Sequence, residues 1–290
     1  MYLKTNSMKV AIIGHGFVGK AIDFGILPEV ERLLIDPIYN TKIIDLEEFL
    51  PEFIFICVPT PMNNDGSQNI ELIKKIIEDI SELNLKSIIV IKSTVLPNFL
   101  VDFQSQLPKI IYNPEFLRES NANEDFINSE LIIFGGEIQY TKSLENFYKD
   151  FTICKSHSYT HTDIVTAAFI KYTINSFLAS KVIFFNELFH LYNKSGAKDS
   201  WKNFITVINH DSRIGSSHMQ VPGPDGRFGY GGACFPKDST AFYEFSKTMQ
   251  HSMELLGKSI EINNSIRSQY SENSKREEDQ NINFNQKDLD

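Results

Sequence analysis

Lys9-Val10-Ala11-Ile12-Ile13-Gly14-His15-Gly16-Phe17-Val18-Gly19-Lys20-Ala21-Ile22 decides the fold of this 290-residue chain. Val10 to Ile13 reads as a buried strand, and a helix opens after the glycines. Gly14 permits a tight turn, Gly16 lets the backbone approach a pyrophosphate at the helix N-terminus, and Gly19 lets helix and strand pack closely. An acid is expected after the second strand. Asp36 stands there, behind Leu33-Leu34-Ile35, where its carboxylate can accept hydrogen bonds from the adenosine ribose hydroxyls. Its charge repels a ribose phosphate, which favours NAD over NADP. A glycine triplet alone also describes a plain turn; strand, glycines, helix and acid in this order point to a dinucleotide.

Working outward, Phe53 to Val58, Ile88 to Ile91, Lys109 to Tyr112 and Leu131 to Phe134 repeat the short apolar run, with helix-length segments between them, clearest at Ile70 to Leu83 and Thr141 to Tyr148. This alternation predicts an α/β fold, a Rossmann-like doubly wound parallel sheet, over residues 1–155. After about Cys154 the texture changes. Asp163 to Asn193 is a long, mostly apolar helical pattern and Ser239 to Tyr270 a second one, so residues 156–270 are expected to form a helical central, dimerisation domain. Residues 271–290 are polar and are expected to be disordered.

The net charge of −9 argues against nucleic acid as the main partner, because binding its phosphates takes a surplus of Lys and Arg. Cys57, Cys154 and Cys234 are too few and too far apart for a disulfide framework or a zinc cluster; no metal is implied, and a reducing compartment is expected. Met1 to Lys9 lacks the apolar run of a signal peptide, and Met8, just before the first strand, is a candidate start. Lys181, Asn186 and Glu187 interrupt the longest apolar stretch, which excludes a membrane span there. The expected location is the cytoplasm.

Ligands of a doubly wound sheet sit at the carboxyl ends of its strands. Thr60, in Pro59-Thr60-Pro61, and Thr94, in Lys92-Ser93-Thr94, are therefore expected to face the cofactor, loop capping being the alternative for each; Cys57 reads as core. In Asn113-Pro114-Glu115-Phe116-Leu117-Arg118-Glu119, Asn113 can cap and Pro114 can start a helical turn, which would set Glu115 and Glu119 on one face. Either two carboxylates converge there, or the stretch is a solvated acidic turn with Arg118 as counter-ion. Lys171 and Asn175 are also four apart, on the long apolar helix. A lysine there either meets a charge or reaches out to water.

Gly229-Tyr230-Gly231-Gly232-Ala233-Cys234-Phe235-Pro236-Lys237-Asp238 joins a loop poor in side chains to a thiol. Pro236 and Asp238 suit a first helical turn, so a helix is expected just after Cys234. The helix start and Lys237 favour a thiolate, while Asp238 opposes it and can carry a proton. The alternative is an inert, buried cysteine behind a structural glycine turn.

Taken together, Gly14-x-Gly16-x-x-Gly19, Val58-Pro59-Thr60-Pro61, Lys92-Ser93-Thr94-Val95, Asn113 to Glu119, Lys171 with Asn175, Arg213-Ile214-Gly215 and Gly231-Gly232-x-Cys234-Phe235-Pro236-Lys237-Asp238 resemble the UDP-glucose/GDP-mannose dehydrogenase family, in that family's order. The resemblance runs from Lys9 to about Arg267. It implies a four-electron oxidation of a nucleotide sugar's primary alcohol to a carboxylate with two NAD in turn, UDP-glucose to UDP-glucuronate being favoured. GDP-mannose or a UDP-N-acetylhexosamine is the runner-up substrate, and a catalytically silent NAD-binding partner module the other class.

By the same resemblance Cys234 carries a thiohemiacetal and then a thioester, Lys171 and Asn175 stabilise the oxyanion, and Asp238 and Glu119 order water and move protons, with Thr94 among the catalytic positions. Gly14, Gly16, Phe17, Val18, Gly19, Asp36, Thr60, Thr94, Glu119 and Lys237 would contact NAD. Glu115, Phe116, Leu117, Lys171, Asn175 and Gly231 would line the sugar site, and Arg213 would reach a neighbouring subunit's substrate in a homodimer. The family's further nucleotide-sugar-binding domain is not expected within these residues, those after Tyr270 being few and polar. The loop Ser216 to Gly226 is then the candidate to hold the diphosphate through its amides.

Overall fold

The structure, a computed structural model, describes residues 7–156 and 158–285. Residue contacts divide the chain into two units, Met1–Thr60 with Asn69–Lys171, and Pro61–Gln68 with Tyr172–Asp290. The division falls between Lys171 and Tyr172 rather than at the expected 155/156, and it assigns a short early segment to the second unit.

The first unit is built on one sheet. Its described elements are β1 (Lys9–Ile13), α1 (Phe17–Gly25), β2 (Glu31–Ile35), α2 (Leu46–Phe49), β3 (Phe53–Ile56), α3 (Glu71–Glu82), β4 (Ile88–Ile91), α4 (Pro97–Gln106), β5 (Ile110–Tyr112), α5 (Ala122–Ile127), β6 (Ile132–Gly135), α6 (Ile138–Phe151) and β7 (Tyr159–Thr162). The strand order is β2-β1-β3-β4-β5-β6-β7. β1 pairs in parallel with both β2 and β3, so the order reverses there and opens a crevice at the carboxyl ends. The central strands are buried on both faces, as their unbroken apolar runs require: Ile54, Ile56 and Ile91 pack with α3 residues Ile73 and Ile77, while Val10, Ile12 and Phe55 pack with Ile22 and Phe147.

Two features depart from the sequence reading. β5 and β6 pair antiparallel, at Tyr112 and Gly135, so the sheet is mostly rather than wholly parallel. β7, Tyr-Thr-His-Thr, is a polar edge strand that no apolar run announces.

α7 (Ile164–Lys194) runs from the first unit into the second, which then adds α8 (Trp201–Ile208), α9 (Phe235–Thr248), α10 (Glu254–Arg267) and α11 (Lys275–Asp279). Ala179 and Ile183 of α7 pack with Tyr230, Phe235, Ile262 and Ile266. The polar stretch expected to be disordered is ordered as far as residue 285: α11 carries a Ser274 capping box, and Ile282 and Phe284 bury against Met62. Composition missed this because one buried ion pair, Arg267 with Glu277, and two apolar side chains hold the segment. Residues 286–290 and 1–6 lie outside the described residues.

Candidate active site

The glycine turn has the shape the sequence implies. Gly14 has φ +88°, and a Cβ on it would stand 2.9 Å from the Cys57 carbonyl. A Cβ on Gly19 would stand 2.1 Å from the Gly14 oxygen, so helix and turn touch directly. At Gly16 a Cβ meets nothing within 4 Å, and no side chain caps the start of α1. The amides of its first turn, beginning with Phe17 and Val18, are thereby free of a side-chain cap, as an anion site needs. Asp36 directly follows β2, and its Oδ2 accepts the His15 amide at 2.7 Å, which ties the acid to the glycine turn. Beside them a cavity of about 880 Å³ is lined by Gly14, Asp36, Pro37, Val58, Pro59 and Ile76. Room at Gly16, an uncapped helix start and an acid on an apolar cavity fit a dinucleotide.

The next two strand ends are laced together. Thr60 is buried and donates to the Thr94 carbonyl at 2.8 Å, and Ser93 donates to the Val58 carbonyl at 2.6 Å. Burial pushes the Cys57 thiol up to about 12 against the lowering influence of Lys92, which makes it an inert core group.

Asn113 to Arg118 is irregular, and a 3₁₀ turn begins only at Glu119, so the expected helical turn is absent and Glu115 and Glu119 do not share a helix face. The reason is that Asn113 is drawn inward. Its Oδ1 accepts Lys92 Nζ at 2.8 Å and Tyr148 Oη at 2.7 Å, and its amide donates to the Ile133 carbonyl at 2.9 Å. Arg118 pairs with Asp125 instead of with a neighbouring glutamate.

Lys171 meets a charge rather than water. It is 3 % exposed, donates to the Glu115 carbonyl, lies 3.4 Å from Glu115 Oε1 and sits 5.0 Å from the centre of the Phe116 ring. Glu115 Oε2 also accepts the Leu117 amide at 2.7 Å, which fixes the carboxylate across its own loop. All of these groups belong to the first unit.

In the second unit, α9 starts at Phe235 with Cys234 as N-cap and Pro236 in the first turn, as expected. Asp238 is 1 % exposed, between the Lys237 ammonium and the Asn175 amide, which donates to its Oδ2 at 2.6 Å. A buried carboxylate is tolerable only with such partners.

The glycine loop before Cys234 is held by side chains the sequence did not mark. Gly229 donates to Asn186 Oδ1 at 2.9 Å, Tyr230 to Asn263 Oδ1 at 2.7 Å, and Gly232 to Glu277 Oε1 at 3.0 Å. Lys181, noted only as a break in an apolar run, donates to the Ile214 and Gly215 carbonyls at 3.0 and 2.9 Å and so shapes the Arg213-Ile214-Gly215 turn. Arg213 itself is exposed and held by Asp211. The loop Ser216 to Gly226 does not offer all its amides: Gly223 bonds the Arg227 carbonyl and Gly226 the Gly223 carbonyl, while Asp225 pairs with Arg267.

Fold and site define a doubly wound domain with the features of a dinucleotide-binding site. Residues 40–152 match the NAD binding domain of the UDP-glucose/GDP-mannose dehydrogenase family, and residues 165–265 match its central domain. The chain belongs to this family. It is 37 % identical over 227 residues to the UDP-glucose 6-dehydrogenase of Rickettsia bellii, covering 76 % of this chain and 49 % of that protein. It is 34 % identical over 224 residues to UDP-glucose 6-dehydrogenase YwqF of Bacillus subtilis, covering 73 % and 48 %. The chain thus spans about half the length of the curated relatives it matches. Among solved structures, the UDP-glucose dehydrogenase of Pyrobaculum islandicum has a similar fold, with TM-score 0.73 and 22 % identity over 91 % of this chain and 70 % of that one. The glycine turn and Asp36 precede the matched stretch and stand on their own geometry. NAD is the cofactor of the family, and the residues present fit it. Among the described residues no helix is long and apolar enough to cross a membrane.

Proposed function

We propose that this protein oxidises the primary alcohol of a nucleotide sugar to the carboxylate, UDP-glucose to UDP-glucuronate, through a covalent bond to Cys234. The observation that carries the reading is the buried cluster that Lys237 and Asp238, in the first turn behind Cys234, form with Asn175 of α7. A helix that buries a carboxylate with two donors beside a thiol has the parts for covalent aldehyde chemistry. NAD, when bound, accepts a hydride in each of two oxidations.

The chain's own residues do the rest. Cys234 sulfur bonds to the aldehyde carbon produced by the first oxidation, and the aldehyde oxygen takes a proton to give a thiohemiacetal. Loss of hydride and the hydroxyl proton then leaves a thioester. Water adds, the carbon–sulfur bond breaks, and carboxylate and thiol are released. In sum, alcohol, water and two oxidised cofactors give carboxylate, two reduced cofactors and three protons. Lys171 and Asn175 donate to the oxygen that becomes negative; Asp238 and Glu119, with Thr94, order the water and move protons. Phe17, Val18, Asp36, Thr60 and Lys237 serve the cofactor, and Glu115, Phe116, Leu117 and Gly231 the sugar.

Arg213, exposed at a turn, serves the site of a second subunit in a homodimer. Phe177, Phe184 and Leu191, at 64, 60 and 65 % exposure, recur every seven residues along α7 and support pairing about that helix. Three cysteines, too few and too far apart in sequence for a disulfide framework, suit a reducing compartment and favour the cytoplasm.

The test mixes the protein with NAD and a panel of UDP- and GDP-sugars and counts NADH per sugar consumed. Two per UDP-glucose is expected. One per sugar contradicts the thioester route, and NAD binding without turnover of any sugar favours the silent module.

A further inference from the structure

We infer that Glu277, from the polar segment behind α10, is a positioning residue for the Cys234 loop. Three amides of that loop end on side-chain oxygens. The oxygens for Gly229 and Tyr230 come from Asn186 on α7 and Asn263 on α10, both long helices. The third, nearest the thiol, comes from Glu277 on a five-residue helix. Gly232 lies two residues before Cys234 and has φ +79°, a conformation most other residues avoid, so its amide sets the direction in which the chain enters α9.

The loop also rests on the Glu277 ion pair. A Cβ on Gly231 would stand 2.1 Å from Arg267 Nη2 and 2.3 Å from Glu277 Oε1, so only glycine lets the backbone come this close. Glu277 is 1 % exposed and fully engaged. Its Oε1 accepts Arg267 Nη2 at 2.9 Å as well as Gly232, and its Oε2 accepts the Ser274 amide at 2.7 Å and the Ser274 hydroxyl at 2.9 Å. Arg267 reaches on to Asp225 Oδ2 at 2.7 Å. Burial works to raise the Glu277 carboxyl, but the Ser274 and Gly232 amides, the Ser274 hydroxyl and Arg267 outweigh it and hold the group below its ordinary 4.5, so it stays ionised. The segment is pinned further by Asn281, which donates to the Met62 carbonyl at 2.8 Å, and by Ile282 and Phe284.

Removing the carboxylate leaves Gly232 N–H and one arm of Arg267 without an acceptor, and the loop relaxes around Cys234. The catalytic consequence rests on the function proposed above; the geometric one does not. The test measures the rate at which iodoacetamide alkylates Cys234 in the whole chain across a pH series, the site being assigned by peptide mass, with folding checked by circular dichroism. Glu277→Ala is expected to change the rate by about threefold or more and to move the midpoint of its pH profile. Glu277→Gln, which keeps an oxygen for Gly232, is expected to fall between Glu277→Ala and the wild type. A folded Glu277→Ala with the wild-type rate and midpoint overturns the inference, even if its melting temperature drops. If Glu277→Ala does not fold, Ser274→Ala, which loosens the same carboxylate, is expected to move the profile from the wild-type one, and an unmoved profile overturns the inference equally. No sugar turnover enters this measurement, so it fails or succeeds independently of the proposed reaction.

Discussion

Asn175 Nδ2 donates to Asp238 Oδ2 at 2.6 Å across 63 residues of sequence, joining α7 to the first turn of α9. Both side chains are nearly inaccessible, at 6 and 1 % exposure. Asn175→Ala removes the donor and leaves Asp238 with Lys237 in a space that water does not fill readily. The expected cost is about 1–3 kcal/mol, read from urea unfolding, with loss of sugar oxidation in the folded variant. An Asn175→Ala protein as stable and active as the wild type contradicts a working role for the pair.

The glycine turn separates a ligand role from a packing role. Gly16→Ala places its methyl in open space and is expected to leave the melting temperature unchanged while weakening NAD binding, followed by fluorescence titration. Gly19→Ala drives a methyl into the Gly14 oxygen and is expected to destabilise the protein outright. The reverse pattern would place the dinucleotide elsewhere.

Lys92 makes stability depend on pH in the alkaline range. Burial lowers it from 10.5 to about 8, with Cys57 and Glu115 opposing the shift. Between those values the unfolded chain binds more protons than the folded one, so stability rises with pH; below 8 the penalty is fully present. Relative to Lys92→Met, the wild type is expected to gain about 2 kcal/mol between about pH 7 and about pH 10, measured by chemical denaturation. A constant difference across that range contradicts a charged, buried Lys92.

The stripe on α7 predicts assembly. Phe184→Asp, which places a charge at a position 60 % exposed in the single chain, is expected to convert a dimer to monomer in sedimentation velocity while leaving the far-ultraviolet spectrum unchanged. An unaltered sedimentation coefficient removes α7 as the dimer contact.

What was legible in the sequence was local. Gly14 to Gly19, Asp36 and the start of α9 at Phe235 each declare themselves within a few residues, because tight turns and helix starts are decided by neighbouring backbone. Strand direction is not so encoded: the apolar run at 132–134 looks the same whether β6 pairs parallel or antiparallel with β5. The irregular path after Asn113 follows from its bonds to Lys92, Tyr148 and Ile133, none of them near it in sequence. The anchors of the cysteine loop were invisible for the same reason. Asn186, Asn263 and Glu277 lie 43, 33 and 45 residues from the amides they receive. Glu277 was hidden further by a polar neighbourhood that composition assigns to disorder.

The most direct test of the account is product analysis with Cys234→Ser. Without the thiol no thioester forms, so UDP-glucose and NAD are expected to yield no UDP-glucuronate above background, with NAD binding intact. Formation of UDP-glucuronate by Cys234→Ser at the wild-type rate, with two NADH per sugar, would contradict covalent catalysis at this residue.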